Sequence, residues 1–516
     1  MKNTWFSFSI LFLLIAHANA KTFECTSTLQ ISDSNKIYVD HRDIALRKIS
    51  PQFFGFNLEV IEFQDSLWDK SNKRVNNEAL SLLSRFPGAV YRYPGGTVSN
   101  HFTWQQAIGP IDQRIAQKTV DYQSAKVISF GLIEYLKFVQ QVNGTPWYVL
   151  NMYGSIKNSD TPINLAGAAA DLAKFLSKPE NNDLPTIYRW ELGNELDRGR
   201  YQWMPDKYST TAAVMTDAVR SVRTDAEFVV MGQDWAHTGA GRSGTDYNAY
   251  TAAALAHTSN EHSFHLYYDG APWGPPLSRV FKQFCKNLEA TQLPNRHSTT
   301  WVTEFGKTPI GTPADTFWKN NWPQTGDLSA AVSAADLMIT LAPLESVNGA
   351  FVHSLHATKG PWPIFHKRAD GVVYPGAVYW ALVILRETML EDVLSADMSV
   401  SNRSDSSVGY DTHSVVMASQ NRRNFSIWTV QRGHTAENIS VVIPQLAGQT
   451  VLIKTASISG KDSSENNYVV PYKVFPKRSK SIIQIGASGD FTYAVSAHSV
   501  TALSLEITSN QSSDLK

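Results

Sequence analysis

The hydrophobic positions of this chain fall into two textures. Between residues 51 and 389, short β-prone apolar runs alternate with longer stretches whose apolar residues recur every three or four positions. The short runs, read as strands, cover 53–60, 89–96, 146–154, 190–195, 227–233, 262–269, 299–306 and 348–356. The longer ones, read as helices, cover 77–86, 127–142, 165–178, 210–224, 247–257, 277–291, 328–344 and 377–389. Strands that alternate with helices predict a parallel sheet. Eight such pairs over this length predict a (β/α)8 barrel across 51–389. After Leu390 the helical periodicity stops. Short apolar runs at 414–418, 425–430, 439–443, 451–455, 481–485 and 500–507 are separated by polar turns rich in Gly, Ser and Asn. They predict a C-terminal antiparallel β-sandwich over 390–508. The N-terminal segment 21–50 is expected to add to it through Ile37-Tyr38-Val39, and 509–516 reads as a disordered tail.

Two of the barrel strands end in the same way. Ile187-Tyr188-Arg189-Trp190-Glu191-Leu192 breaks into Gly193-Asn194-Glu195-Leu196-Asp197. Thr299-Thr300-Trp301-Val302-Thr303 breaks into Glu304-Phe305-Gly306. A barrel brings the C-terminal ends of its strands to one face. Glu195, closing strand four, and Glu304, closing strand seven, are therefore expected on opposite sides of one mouth. Sugar cleavage uses such a pair: one carboxyl protonates the leaving oxygen, and the other attacks or stabilises the anomeric carbon. Either glutamate by itself would read as an ordinary loop carboxylate.

Composition narrows the classes. The 46 basic and 46 acidic residues cancel, so neither nucleic acid nor an anionic membrane surface is an expected partner. At 43% hydrophobic, 516 residues suffice for a large core and a second domain. The 14 Trp and 20 Tyr must mostly be core, but their faces also suit the C–H faces of sugar rings. Residues 1–20 read as a signal peptide: Lys2, an apolar run from Phe6 to Ala16, then Ala18-Asn19-Ala20 as cleavage site. A secreted product follows, with no membrane association after cleavage. In an oxidising compartment Cys25 and Cys285 either pair or remain two separate thiols. Asn143, Asn402, Asn424, Asn438 and Asn510 open Asn-x-Ser/Thr triplets, candidate glycosylation sites. His353 and His356, three apart on a strand, would face opposite ways and make no metal pair. Gly239-Ala240-Gly241-Arg242-Ser243-Gly244 lacks the strand–turn–helix context of a dinucleotide loop, and no cofactor is expected.

Gly193-Asn194-Glu195 and Thr303-Glu304-Phe305-Gly306 resemble the acid/base and nucleophile signatures of the large clan of retaining glycoside hydrolases built on (β/α)8 barrels. Within it the likeness is to the α-L-arabinofuranosidases of glycoside hydrolase family 51. Ile49-Ser50-Pro51-Gln52-Phe53-Phe54-Gly55-Phe56-Asn57-Leu58-Glu59 is similar to that family's opening strand. Arg92-Tyr93-Pro94-Gly95-Gly96, with Trp104 and Ile108-Gly109-Pro110, resembles its second strand and loop. Trp190-Glu191-Leu192-Gly193-Asn194-Glu195-Leu196-Asp197 resembles its acid/base strand. Barrel plus sandwich fits as well, so the likeness spans most of the mature chain.

The resemblance implies Glu195 as general acid/base and Glu304 as nucleophile, with carboxyls about 5–5.5 Å apart. Asn194 would bind the sugar 2-hydroxyl, Arg92 would hold Glu304 ionised, and Tyr267 would hydrogen-bond the nucleophile. His265, two residues from Tyr267 on strand six, would support the wall, and Glu59 would grip sugar hydroxyls. Trp104, Trp235, Trp318 and Trp362, all in expected βα loops, are stacking candidates. The sequence departs from the family at strand seven, where Phe305-Gly306 stand in place of the usual Trp-Asn. An arabinofuranosidase-like hydrolase of polysaccharide or glycoconjugate is the first expectation. A β-glucuronidase, β-xylosidase or endo-β-glycanase of the same clan is the alternative. A carbohydrate-binding protein without catalysis is the alternative from another class.

Overall fold

The structure is a computed structural model that describes residues 25, 29–32, 34–42, 44–59, 66–118, 124–154, 160–234, 244–355, 360–402 and 407–508. The expected signal peptide, Trp235, most of the glycine-rich loop, His356, Asn510 and the tail lie outside them. Eight strands close into a barrel: Phe54–Glu59, Val90–Gly95, Thr145–Leu150, Arg189–Leu192, Glu227–Met231, Glu261–Tyr268, Thr299–Lys307 and Val347–Val352. They are called barrel strands one to eight below. Every neighbouring pair is parallel, and strand eight closes on strand one. The helices Asn77–Leu83, Leu132–Gln141, Pro162–Leu176, Pro205–Arg220, Gly244–Ala254, Leu277–Ala290, Leu328–Leu341 and Ala377–Thr388 follow in turn. Val90, Trp147, Val149, Val229, Trp301 and Phe351 plug the lower barrel. The side chains above that plug are polar.

Helix bounds shift where capping chemistry outweighs hydrophobic pattern. The helix expected from 127 starts at Leu132, because Glu134 turns back to accept the Gly131 N–H at 2.9 Å. Ile128 and Phe130 are apolar because they are buried in the main core, where Phe130 meets Trp68, Tyr93 and Phe138, not because they belong to the helix. The helix expected from 210 starts five residues earlier, at Pro205, whose fixed φ suits a first turn.

Apart from the two-stranded pairs Trp68–Asp69 with Arg74–Val75 and Phe365–Lys367 with Val373–Pro375, the remaining strands form a two-sheet sandwich. One sheet runs Leu29–Ile31, Ala396–Val400, Asn35–Val39, Glu437–Val442, Asp490–Val495. The other runs Lys477–Gln484, Thr450–Ser459, Ser499–Ile507, Asn424–Gln431, Thr412–Ala418, Asp392–Leu394, Ala45–Lys48. Ile37, Val39, Phe425, Ile427, Val441 and Leu503 fill the space between them. Pairing is antiparallel except where two N-terminal strands enter: Leu29–Ile31 beside Ala396–Val400, and Asn35–Val39 beside Glu437–Val442, are parallel. The second sheet lies against helices Leu328–Leu341 and Ala377–Thr388, where Trp428 Nε1 donates to Thr388 Oγ1 at 2.9 Å. Cys25 and Cys285 form a disulfide with Cα atoms 5.6 Å apart, tying the N-terminal segment to helix Leu277–Ala290. Asn143 and Asn438 are exposed, and Asn402 and Asn424 half-buried. Among the described residues no helix is long and apolar enough to cross a membrane.

Candidate active site

Barrel strand two delivers Arg92 to the middle of the barrel, where it is fully buried. Guanidinium carries five N–H donors, and this one spends them on four side chains. Nε donates to Glu191 Oε2 at 2.6 Å and Nη2 to Glu191 Oε1 at 3.2 Å. Nη1 reaches Glu304 Oε1 and Asn57 Oδ1, each at 2.8 Å, and Nη2 reaches Asn194 Oδ1 at 2.8 Å. Burial opposes the charge of Arg92, but Glu191 and Glu304 outweigh it and hold the group above its ordinary pKa. Burial would likewise raise Glu191; the Arg92 charge and hydrogen bonds win, and the carboxyl sits below its ordinary value. Trp147 Nε1 at 2.9 Å and Thr303 Oγ1 at 3.1 Å complete the shell of Glu191.

Glu304 faces the same arginine from strand seven. The register with strand six pairs Phe264 with Val302 and then His265 with Glu304, so Thr303 is an extra residue. That bulge lets Thr303 reach Glu191 while Glu304 also points inward. The second oxygen of Glu304 accepts Tyr267 Oη–H at 2.7 Å. His353 Nδ1 lies 3.8 Å from it and 2.7 Å from Asn57 Nδ2.

Glu195 is carried by a turn, not by the strand. Strand four ends at Leu192, and the backbone reverses with φ of 77° at Gly193 and 48° at Glu195. A side chain at 193 would suffer both the left-handed φ and a Cβ placed 2.6 Å from Leu196 Cδ1. Asn100, in the short helix Thr97–His101 after strand two, locks this turn from the side. Its Oδ1 accepts the Asn194 N–H at 3.1 Å, and its Nδ2 donates to the Asn194 carbonyl at 2.6 Å. Glu195 Oε1 then meets His265 Nδ1 at 2.8 Å and Arg198 Nη1 at 3.5 Å. His265 Nδ1 is also 3.6 Å from Glu304 Oε2. Burial alone would lower the pKa of His265; the charge of Glu304 and the bond to Glu195 raise it above the ordinary 6.5. Arg198 is itself held by Asp234 and, at 3.1 Å, by Asp197.

Oxygens of Glu195 and Glu304 thus lie within 4.8 Å of each other, with His265 in the same radius. Three such groups are the one cluster among the described residues with the ligand types and spacing for a cation. The fit is poor on charge grounds, since Arg92 already occupies one oxygen of Glu304 at 2.8 Å and Tyr267 the other. The spacing instead suits a pair in which one carboxylate attacks and the other exchanges a proton. A pocket of about 290 Å³ opens above them. Asn194, Arg198, Asp234, Tyr267, Trp273 and Trp362 are among its walls.

Of the residues singled out in the sequence, Arg92, Asn194, Glu195, His265, Tyr267 and Glu304 come together here, and Trp362 lines the pocket. His265 does more than support the wall, since it touches the acid/base candidate directly. Trp104 does not reach the pocket. Its Nε1 donates to Ala168 O at 3.1 Å, its ring meets Phe175, and it borders a separate cavity between strand three and helix Pro162–Leu176. Trp318 is buried behind Trp273 and Trp362, packing within the wall. Glu59 ends strand one with its backbone beside Gly95; its side chain lies outside the described residues. Sequence reasoning missed Glu191, Asn57, Asn100, Arg198, Asp234 and His353. Glu191 had a usable signal, a carboxylate in the middle of an apolar run, which demands a buried partner.

Residues 82–267 match the model of the Alpha-L-arabinofuranosidase 1 domain. The match contains Arg92, Asn194, Glu195, His265 and Tyr267, and ends before Glu304. An intracellular exo-alpha-(1->5)-L-arabinofuranosidase of Streptomyces lividans is 25% identical over 241 residues, 43% of this chain and 35% of its own length. Alpha-L-arabinofuranosidase C of Emericella nidulans is 22% identical over 249 residues, 44% of this chain and 48% of its own. The chain therefore spans less than half the length of these curated relatives. Among solved structures, an alpha-L-arabinofuranosidase from Thermotoga maritima in an arabinose complex superposes with a TM-score of 0.73 at 16% identity, covering 92% of this chain and 100% of that one. A family 51 alpha-L-arabinofuranosidase from Bifidobacterium longum gives 0.74 at 15% identity, covering 92% and 99%. At these identities the structures establish a shared fold: the barrel with its sandwich. The resemblance read from the motifs is thus met again in the family model, the curated relatives and the fold.

Proposed function

We propose that this chain is a secreted retaining glycoside hydrolase of arabinofuranosidase-like specificity, cleaving O-glycosidic bonds in polysaccharide or glycoconjugate. The observation that carries the reading is the approach of Glu195 and Glu304 within 4.8 Å, with both oxygens of Glu304 held by Arg92 and Tyr267. Arg92 holds one oxygen of Glu304 and the Tyr267 hydroxyl the other, so the carboxyl is fixed in the orientation from which it attacks the anomeric carbon. Glu195 stands across the pocket with a carboxyl that shares its hydrogen bond with His265. It protonates the leaving oxygen as the glycosyl–Glu304 ester forms, then takes a proton from the water that hydrolyses that ester. Forming the ester removes the negative charge of Glu304 and weakens its pull on His265 and Arg92. Asn194, anchored by Arg92 and Asn100 at the pocket floor, is placed for the sugar 2-hydroxyl. Export is supported by the N-terminal signal pattern and by the Cys25–Cys285 pairing, which an oxidising compartment favours.

The test is a panel of p-nitrophenyl glycosides with the wild type, Glu195→Ala and Glu304→Ala. Release from the α-L-arabinofuranoside, lost in both variants, is the expected result. Release only from another sugar would keep the mechanism and move the substrate. Sugar binding with no turnover on the panel or on polymers would overturn the enzymatic reading.

A further inference from the structure

We propose that Trp362 is the platform on which the sugar ring of a neutral substrate stacks, and that it sets the selectivity of the pocket; this rests on the glycosidase reading above. Trp362 enters from the segment after strand eight, half-buried, and lines the pocket beside Glu304. Its φ is 68°, a left-handed conformation that bulky aromatic residues rarely adopt. Such an outlier persists only where its surroundings over-determine it, and here three bonds do so. The Trp362 N–H donates to Thr325 Oγ1 at 2.6 Å, its carbonyl accepts from Ser354 N–H at 2.9 Å, and Nε1 donates to Lys307 O at 2.7 Å. With Nε1 spent on strand seven, the indole offers the pocket only carbon surface.

Strand seven makes room for it. Gly306 lies two residues beyond Glu304, on the same face of the strand. A Cβ there would fall 2.7 Å from Trp362 Cδ1. The ring therefore rests over the nucleophile strand in space that any larger residue would take. It also meets Tyr267 at 4.9 Å and His353 at 5.3 Å between ring centroids, so the groups around Glu304 and the stacking surface form one wall. Simple packing would not require a strained residue at the edge of an open pocket. A rigid apolar plate matched to the C–H face of a sugar does.

Charge points to the same class of substrate. The acidic and basic walls of the pocket among the described residues are Glu195, Glu304, Asp234 and Arg198, with His265 between the two glutamates and His353 3.8 Å from Glu304. Arg198 is already engaged by Glu195, Asp234 and Asp197, and Arg92 is buried beneath and fully spent. A uronic acid would bring a further carboxylate against three others, and among the described residues the basic groups of the pocket, Arg198, His265 and His353, already face carboxylates. The pocket fits a neutral pentose or hexose.

The test compares wild type with Trp362→Ala, Trp362→Phe and Gly306→Ala. For each, KM and kcat are measured on the neutral aryl glycoside that the wild type prefers, and calorimetry gives the Kd of the corresponding free sugar. Melting curves show which variants fold. Trp362→Ala is expected to raise KM and Kd about tenfold with a smaller effect on kcat, as loss of a buried aromatic anchor does. Trp362→Phe should restore most of the binding, and Gly306→Ala should reproduce part of the loss by displacing the indole. Folded Trp362→Ala or, if it does not fold, folded Gly306→Ala with KM and Kd within about twofold of wild type would overturn the proposal. So would a wild type that cleaves a glucuronide as well as its neutral counterpart. A wild type that binds a neutral sugar through Trp362 yet cleaves nothing would instead overturn the glycosidase reading, because calorimetry does not depend on turnover.

Discussion

His265 is a single imidazole nitrogen facing two carboxylates, 2.8 Å from Glu195 and 3.6 Å from Glu304. Burial works against its charge, the two acids work for it, and the net shift is upward from 6.5. A histidine held above its unfolded value contributes stability in full below that unfolded value, and the contribution fades as pH rises through the folded pKa. The stability gap between wild type and His265→Gln should therefore be widest below pH 6.5 and close at alkaline pH. Urea midpoints across the range would check it; a gap that grows with pH would mean that His265 is neutral in the native state. Glutamates that close apolar runs were legible in the sequence because charge at a strand end is conspicuous. Glu191 offered only the signal of a carboxylate inside an apolar run; its partner was not legible, because that partner is Arg92, 99 residues earlier in the chain. His353 was misplaced for a local reason. It reads as the sixth residue of an alternating run, but the strand stops at Val352 and the chain turns it toward Asn57.

At the scale of elements, what aims the two carboxylates is irregularity. Strand seven uses a bulge at Thr303, and strand four uses the left-handed pair Gly193 and Glu195. Gly193→Ala should be costly in a particular way. The added Cβ meets Leu196 and opposes a φ of 77°, destabilising by more than about 1 kcal/mol. The displaced turn should also lower kcat/KM by about a hundredfold, the cost of a misplacement near 1 Å. Steady-state kinetics beside a melting curve separate the two effects. A variant that loses stability but keeps kcat/KM would show that the turn does not position Glu195. Periodicity located all eight barrel strands, because strands buried on both faces are almost continuously apolar. It could not see Ala45–Lys48 or Asp392–Leu394, which are too short for any alternation to register. Lys477–Gln484 begins Lys-Arg-Ser-Lys, so only its second half looked like a strand.

At the scale of the molecule, the sandwich is joined to the barrel beside the active site. Arg432 leaves strand Asn424–Gln431 and binds Asp269, at the end of strand six, at 2.9 Å, and Asp336 of helix Leu328–Leu341. Tyr410 and His413 add bonds to Asp336 at 2.9 and 2.7 Å. Asp269 is two residues from Tyr267, so the clamp grips the strand that holds the hydroxyl partner of Glu304. Removing one member of a buried ion cluster leaves the others uncompensated. Arg432→Met should cost about 3–5 kcal/mol, read from denaturant unfolding as a shift of one shared transition for both parts. Two separated transitions already present in the wild type would refute that coupling. The two-part architecture was legible from the change in texture near Leu390. The clamp was not, since no local pattern connects Arg432 with Asp269.

The central claim is that Glu304 attacks the sugar while Glu195 moves the proton. Its most direct test is to incubate the protein with an activated 2-deoxy-2-fluoro glycoside of the sugar it cleaves and to locate the adduct by mass spectrometry of peptides. One glycosyl group is expected on Glu304, none on Glu304→Gln, and release of product with the starting anomeric configuration. An adduct on Glu195, or inverted product with no adduct at all, would contradict it.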